Sequence, residues 1–163
     1  MATQTVRAGP GASPRILAGR LMADYEEILE QHASIVTHLE RLETLVEDHR
    51  SRLRPAQKRQ LLRQHLAALR EVLVPHFAAE EEGGYLHEIV EARPDLEHRT
   101  ASLGAQHGEI LDHIGLTLGS VADKGLPSLF EDAKGTIERL RAHEAAERAL
   151  IQDAALRELS AAD

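Results

Sequence analysis

The sequence contains no cysteine. Disulfides, thiolate metal sites, iron–sulfur clusters and a cysteine nucleophile are therefore excluded. Aromatic residues are almost as scarce: Tyr25, Phe77, Tyr85 and Phe130 are the full set. Any core must be aliphatic. No apolar run approaches the roughly 20 residues of a membrane helix. The first fifteen residues, MATQTVRAGPGASPR, lack the apolar stretch of a secretion signal. These absences predict a soluble, cytoplasmic protein with no membrane partner. A basic surface is missing too. The formal charge is −8, whereas nucleic-acid binders show a basic footprint, so no nucleic-acid partner is expected.

What the chain has is helical pattern and histidine. Its 163 residues suffice for one domain with a real core. Residues 1–14, with Gly9, Pro10, Gly11 and Pro14, read as a flexible N-terminal tail. Residues 15–160 read as a single domain. From about Arg15 to Arg50, Leu21, Tyr25, Ile28, Ile35, Leu39, Leu42 and Val46 recur at the three–four spacing of a helix burying one stripe. His32 takes the empty place between Ile28 and Ile35. His38 falls off the stripe and is expected in solvent.

Pro55 suits the first position of a second helix, whose stripe is Leu62, Leu66, Leu69, Leu73, His76 and Glu80. Pro75 lies inside it, at a cost of ~3 kcal/mol in an ordinary helix. Gly83 and Gly84 interrupt the pattern before a short segment, Tyr85–Arg93. The third helix, after Pro94, reads Leu96, Thr100, Leu103, His107, Ile110, Ile114, Leu118, Val121. Gly125 and Pro127 form the next turn. Ser128-x-x-Glu131 matches a capping box and predicts the start of the last helix there. That helix reads Leu129, Ala133, Thr136, Leu140, His143, Glu147, Leu150, Ala154, and ends near Ser160. No strand pattern competes. The fold class is all-α. Short connections make neighbouring helices antiparallel, which predicts an up-down-up-down four-helix bundle.

Six ionisable residues interrupt the four seams: His32, His76, Glu80, His107, His143 and Glu147. Two pairs, His76/Glu80 and His143/Glu147, share the H-x-x-x-E spacing, which stacks them one turn apart on one helix face. With turns near Leu53, Arg93 and Lys124, the six lie at matching distances from the turns, to within about one helical turn at ~1.5 Å per residue. They should meet at one level of the bundle. A lone core histidine is usually a satisfied structural residue, and a lone H-x-x-x-E is common on helix surfaces. Six such groups at one height are different, because buried carboxylates and imidazoles are seldom retained unless paired or metal-bound. A purely structural His–Glu network is the competing reading. His38, His65, His87, His98 and His113 lie off the seams or near helix ends, and His49 sits at a bundle end. Glu81, Glu82 and Glu144 read as solvated or supporting groups.

The order His … H-x-x-x-E … His … H-x-x-x-E resembles the hemerythrin-like (HHE cation-binding) domains over about residues 20–158. The resemblance implies an antiparallel four-helix bundle around two iron ions joined by an oxo or hydroxo group. It implies His32, His76, His107 and His143 as terminal ligands and Glu80 and Glu147 as bridging carboxylates. One iron would take His32 and His76, the other His107 and His143. The chain departs from the oxygen carriers of that family. They have another histidine four residues from the one on the third helix, where this chain has Leu103 and Leu111. Their last motif is H-x-x-x-x-D, whereas here Glu147 follows His143 by four. Each iron would then keep an open position. That implies turnover of a small oxidant, O₂ or peroxide, rather than storage of O₂ at one open iron. Catalase-like disproportionation of peroxide is the first expectation. Sensing of oxygen or iron, or O₂ binding without turnover, is the alternative. Tyr25, two turns before His32, could supply a proton or an electron, although a core role is commoner for such a residue.

Overall fold

The computed structural model describes residues 32–48, 52–82 and 84–161, with side chains as far as residue 155. The expected tail 1–14, the helix start near Arg15, Leu21, Tyr25, Ile28 and His49 lie outside the described residues. Within them the first helix, α1, covers 32–47. It is followed by α2 (Pro55–Glu81), α3 (Tyr85–Ala92), one 3-10 turn (Pro94–Leu96), α4 (Glu97–Ser120) and α5 (Leu126–Ala161).

Each helix forms where its stripe can be buried. Leu62, Leu66, Leu69, Leu73, His76, Phe77 and Glu80 of α2 all face inward. Pro55 occupies the first turn of α2, where its missing N–H costs nothing. The Gln57 side chain accepts the Arg54 backbone N–H at 2.9 Å. The helix runs through Pro75 without ending. α5 begins at Leu126, three residues before the Leu129 start that a Ser128 cap predicts. Ser128 and Glu131 are therefore not its cap, and Glu131 instead pairs with Lys134 at 2.7 Å. The Leu129 N–H bonds the Gly125 carbonyl at 3.1 Å, so the turn itself closes the first helical ring.

Cross-helix bonds show the antiparallel order. Arg59, early in α2, donates to the Val121 and Lys124 carbonyls beyond the end of α4. Arg99, early in α4, pairs with Asp153 late in α5 at 2.8 Å. Arg141 of α5 pairs with Glu43 of α1 at 2.6 Å, while Glu147, further along α5, faces His32, further back along α1. The four long helices thus run up, down, up and down.

The apolar core comes in two parts. The larger includes Ile35, Leu39, Leu66, Leu69, Leu73, Phe77, Ile110, Ile114 and Leu140. The smaller joins Tyr85, Leu86 and Ile89 of α3 to Leu96, Leu103, Leu150, Ile151 and Ala154. α3 therefore folds across one end of the bundle. Gly84 makes this possible by space, not by unusual backbone angles. A Cβ there would collide with the Ala79 and Glu80 carbonyl oxygens, the latter at 2.8 Å. No described helix is long and apolar enough to cross a membrane.

Candidate metal centre

Between the two apolar parts lies a polar layer. His76 and Glu80 come from the last turns of α2, His107 from the middle of α4, His143 and Glu147 from α5, and His32 from α1. The three–four spacing that builds the aliphatic seams carries these groups inward with them. His107, His143 and Glu147 are 1–2% exposed, Glu80 is 3% and His76 6%. His32 is partly buried.

The six side chains meet. Glu80 lies between two helices' histidines, with Oε1 2.7 Å from His76 Nε2 and Oε2 3.1 Å from His107 Nε2. Glu147 Oε2 is 3.2 Å from His32 Nε2. The Nε2 atoms of His32 and His76 approach to 3.2 Å. Donor atoms of His32, His76, Glu80 and Glu147 all lie within 4.8 Å of one another, and so do those of Glu80, His107 and His143. His32 and His76 thus fall in one group, His107 and His143 in the other. Glu80 belongs to both, Glu147 to the first alone.

Around this layer sit residues that orient it. His107 Nδ1 donates to Glu81 Oε1 at 2.6 Å, and His143 Nδ1 donates to Gln106 Oε1 at 3.2 Å. A carboxylate and an amide oxygen can only accept, so both rings carry the proton on Nδ1 and turn the Nε2 lone pair inward. Phe77 stacks on His107 with centroids 4.0 Å apart, which fixes the plane of that ring. The Tyr85 hydroxyl donates to Glu147 Oε1 at 2.5 Å. Glu81 thus supports the layer rather than joining it, as the sequence suggests. Glu144 is 8% exposed, more buried than a solvated carboxylate. His38 is half-buried instead of exposed, with Nδ1 sealed and unpaired, and takes no part in the layer.

The charges respond to burial and to each other. Burial pushes the Glu80 carboxyl up, but His107 and His76 outweigh it and hold it at about 2. Burial pulls His32 and His107 down, yet the carboxylates beside them, Glu147 and Glu80 with Glu81, leave both raised. On His143 the charges of Glu147 and Glu80 also act upward but are outweighed. Burial, then the charge of His107, lower it to about 4. Burial, then Glu147 and Glu80, raise the Tyr85 phenol, so it stays a donor. Burial and the Glu147 charge raise Glu144.

The donor set fits a cation. Both oxygens of Glu80, Oε2 of Glu147 and Nε2 of His107 and His143 are buried with no hydrogen-bond partner. Their separations are those of ion pairs, but their directions do not make hydrogen bonds. On His107 an Nε2 lone pair faces a carboxylate oxygen. Such facing lone pairs repel unless positive charge lies between them. Imidazole nitrogens, carboxylate oxygens and supporting acceptors on the far ring nitrogen are the elements of a protein metal site.

Tyr85 and Gln106 carry no motif. The available signal for Tyr85 was its place as one of four aromatics, directly after the glycine break that follows H-x-x-x-E. No curated protein and no solved structure matches the chain. The model of the family described as the hemerythrin HHE cation binding domain matches residues 23–155, a span that holds all six converging side chains. The chain belongs to the hemerythrin HHE cation-binding family.

Proposed function

We propose that this protein is a non-haem diiron protein that reacts with O₂ or peroxide, and that its activity is peroxide disproportionation. The observation that carries the reading is the donor count in a buried layer between two apolar parts of the core. Four protein donors form one group and three the other, with Glu80 common to both. Neither group fills the coordination shell of an iron ion, so room is left for a small ligand. Among the described residues, Leu73, Phe77, Leu103 and Leu140 lie within a turn of these donors along their helices, are 0–2% exposed and offer no polar group to an organic substrate. When bound, two iron ions would supply the two-electron change by which one peroxide is reduced to water and a second is oxidised to O₂.

The chain's own residues do the rest. His32, His76, His107 and His143 would be terminal ligands, and the two glutamates offset the ions' charge. Glu81 and Gln106 hold two imidazoles in the tautomer that ligates.

Anaerobic loading with Fe²⁺, metal analysis and an absorption spectrum before and after peroxide test the first half of the proposal. Two iron ions per chain and near-ultraviolet charge-transfer bands are expected. An oxygen electrode tests the second half, with one O₂ expected per two peroxides consumed. A loaded protein that leaves peroxide untouched would exclude turnover. The sensing alternative then gains from the buried facing lone pairs, which tie the order of the bundle to occupancy of the site.

A further inference from the structure

We propose that the groove between α1 and α2 is a second binding site, for a small carboxylate with an apolar tail. The groove offers about 480 Å³. Arg41 and Leu45 line it from α1, His65 and Leu61 from α2, and Asp48 and Leu53 at the end near the turn. Spaces of this size hold small molecules. His65 precedes His76 on α2 by eleven residues, ~16 Å of helix. The groove therefore stands apart from the polar layer, and the inference does not rest on what that layer does.

One end of the groove is cationic and uncompensated. The Arg41 guanidinium makes no hydrogen bond or ion pair among the described residues. A surface arginine without a partner is common, but this one shares its groove with a partly buried histidine. Burial, then the charges of Arg41 and His38, hold the His65 imidazole below its ordinary value. The ring is thus a neutral N–H donor beside a fixed positive charge. Glu40 and Asp48 also line the groove, yet the charges that act on His65 are those of Arg41 and His38. Asp48 lies seven residues beyond Arg41, ~10 Å along the helix. The Thr37 and Thr44 hydroxyls donate back to the Ala33 and Glu40 carbonyls at 2.9 and 2.8 Å, so neither competes for a ligand.

The guanidinium repels a cation, so two neighbouring imidazoles do not make a metal site here. It matches a carboxylate, whose two oxygens meet the planar fork of donors. Beyond Arg41 the lining turns apolar, through Leu45 and Leu61 to Leu53. Leu53 is 38% exposed, an apolar surface left in water that a ligand's tail would cover. The stretch from Arg41 to the turn sets the length of that tail, at ~10 Å.

The test is calorimetric titration of the full-length, metal-free protein with octanoate, and with 1-octanol as the same tail without the charge. Wild type should bind one octanoate, and octanol about 10-fold or more weakly. Arg41→Met keeps the stem of the side chain and removes the charge. It should weaken octanoate about 10-fold or more, the usual effect of losing a charged hydrogen bond, and leave octanol unchanged. Leu53→Ser should weaken both. In proton NMR the His65 ring resonances should shift as octanoate is added. No binding by wild type, equal affinity for octanol and octanoate, an unaffected Arg41→Met variant, or His65 resonances that stay in place would each overturn the inference. No metal ion enters these measurements, so the metal-centre reading stands or falls separately.

Discussion

Glu80 is the shared member of both donor groups, which makes Glu80→Gln the most informative single change. Glutamine keeps the volume of the side chain, so the aliphatic packing beside it survives. Its amide nitrogen cannot ligate, and the negative charge is gone. Each ion therefore loses a donor or a counter-charge. The scale follows from linkage. A ligand present at 100 times its dissociation constant stabilises the folded state by about 2.7 kcal/mol, so two ions contribute roughly 5 kcal/mol. For a chain of this size each kcal/mol moves the melting temperature by about 2–4 °C, so loading should raise the wild-type Tm by ~10–20 °C. Scanning calorimetry with and without Fe²⁺ under anaerobic conditions reads this rise for each variant against its own metal-free state. Any change in the metal-free stability then drops out. Glu80→Gln should keep only a small fraction of the rise. Glu147→Gln touches one group and should keep about half of it. A Glu80→Gln protein that holds two ions and shows the full rise would refute the placement of Glu80 between two ions.

His76→Ala should lose at least one metal equivalent, read by elemental analysis of the purified protein. His38→Ala should leave metal content unchanged, because His38 belongs to neither donor group. Leu69→Ala, at a position with no exposure, should cost about 2–5 kcal/mol in urea denaturation without changing the metal-free bundle's donor set. The metal-free protein should also weaken in mild acid through His143, whose folded value is about 4 against 6.5 for an ordinary histidine. The unfolded chain takes that proton first, so this contribution is full above pH 6.5 and is lost as pH drops toward 4, against the opposite contribution of the raised His32 and His107. His143→Gln should flatten that part of the stability–pH curve.

The bundle was legible because burial and periodicity are the same fact for an amphipathic helix. His76, His107 and His143 sit in the places where leucine would otherwise stand, so the seams that locate Leu69 or Ile110 locate them too. Antiparallel pairing then brings them to one height. The supporting contacts were not legible. Tyr85 reaches Glu147 across 62 positions of sequence through a turn whose tightness depends on Gly84. Gln106 lies one residue before His107 yet serves His143 on another helix. Such contacts depend on how α3, α4 and α5 dock, which no local period records. His38 departs from its stripe yet is half-buried, so an off-seam position did not mean an exposed one. Near the end of α4 the inward place falls to Thr117, whose hydroxyl returns a bond to the His113 carbonyl at 2.9 Å, while Leu118 is only partly buried. The apparent capping box at Ser128 failed because Gly125 already provides the turn.

The division of the core gives the polar layer a structural weight beyond its chemistry. The larger apolar part is continuous across α1, α2, α4 and α5, whereas the smaller one, with α3 at its centre, is separated from it. What connects the two is the layer of His76, Glu80, His107, His143 and Glu147. In an ordinary bundle that level would hold leucines and join the parts by burial alone. Here it holds Glu80, His107, His143 and Glu147, each with a buried donor atom that makes no hydrogen bond. Bound cations would replace the missing cohesion by linking α1, α2, α4 and α5, and Tyr85 ties α3 to the same level through Glu147. The end of the bundle that α3 closes is therefore tied to the site through the Tyr85–Glu147 bond, besides its own apolar packing on α4 and α5.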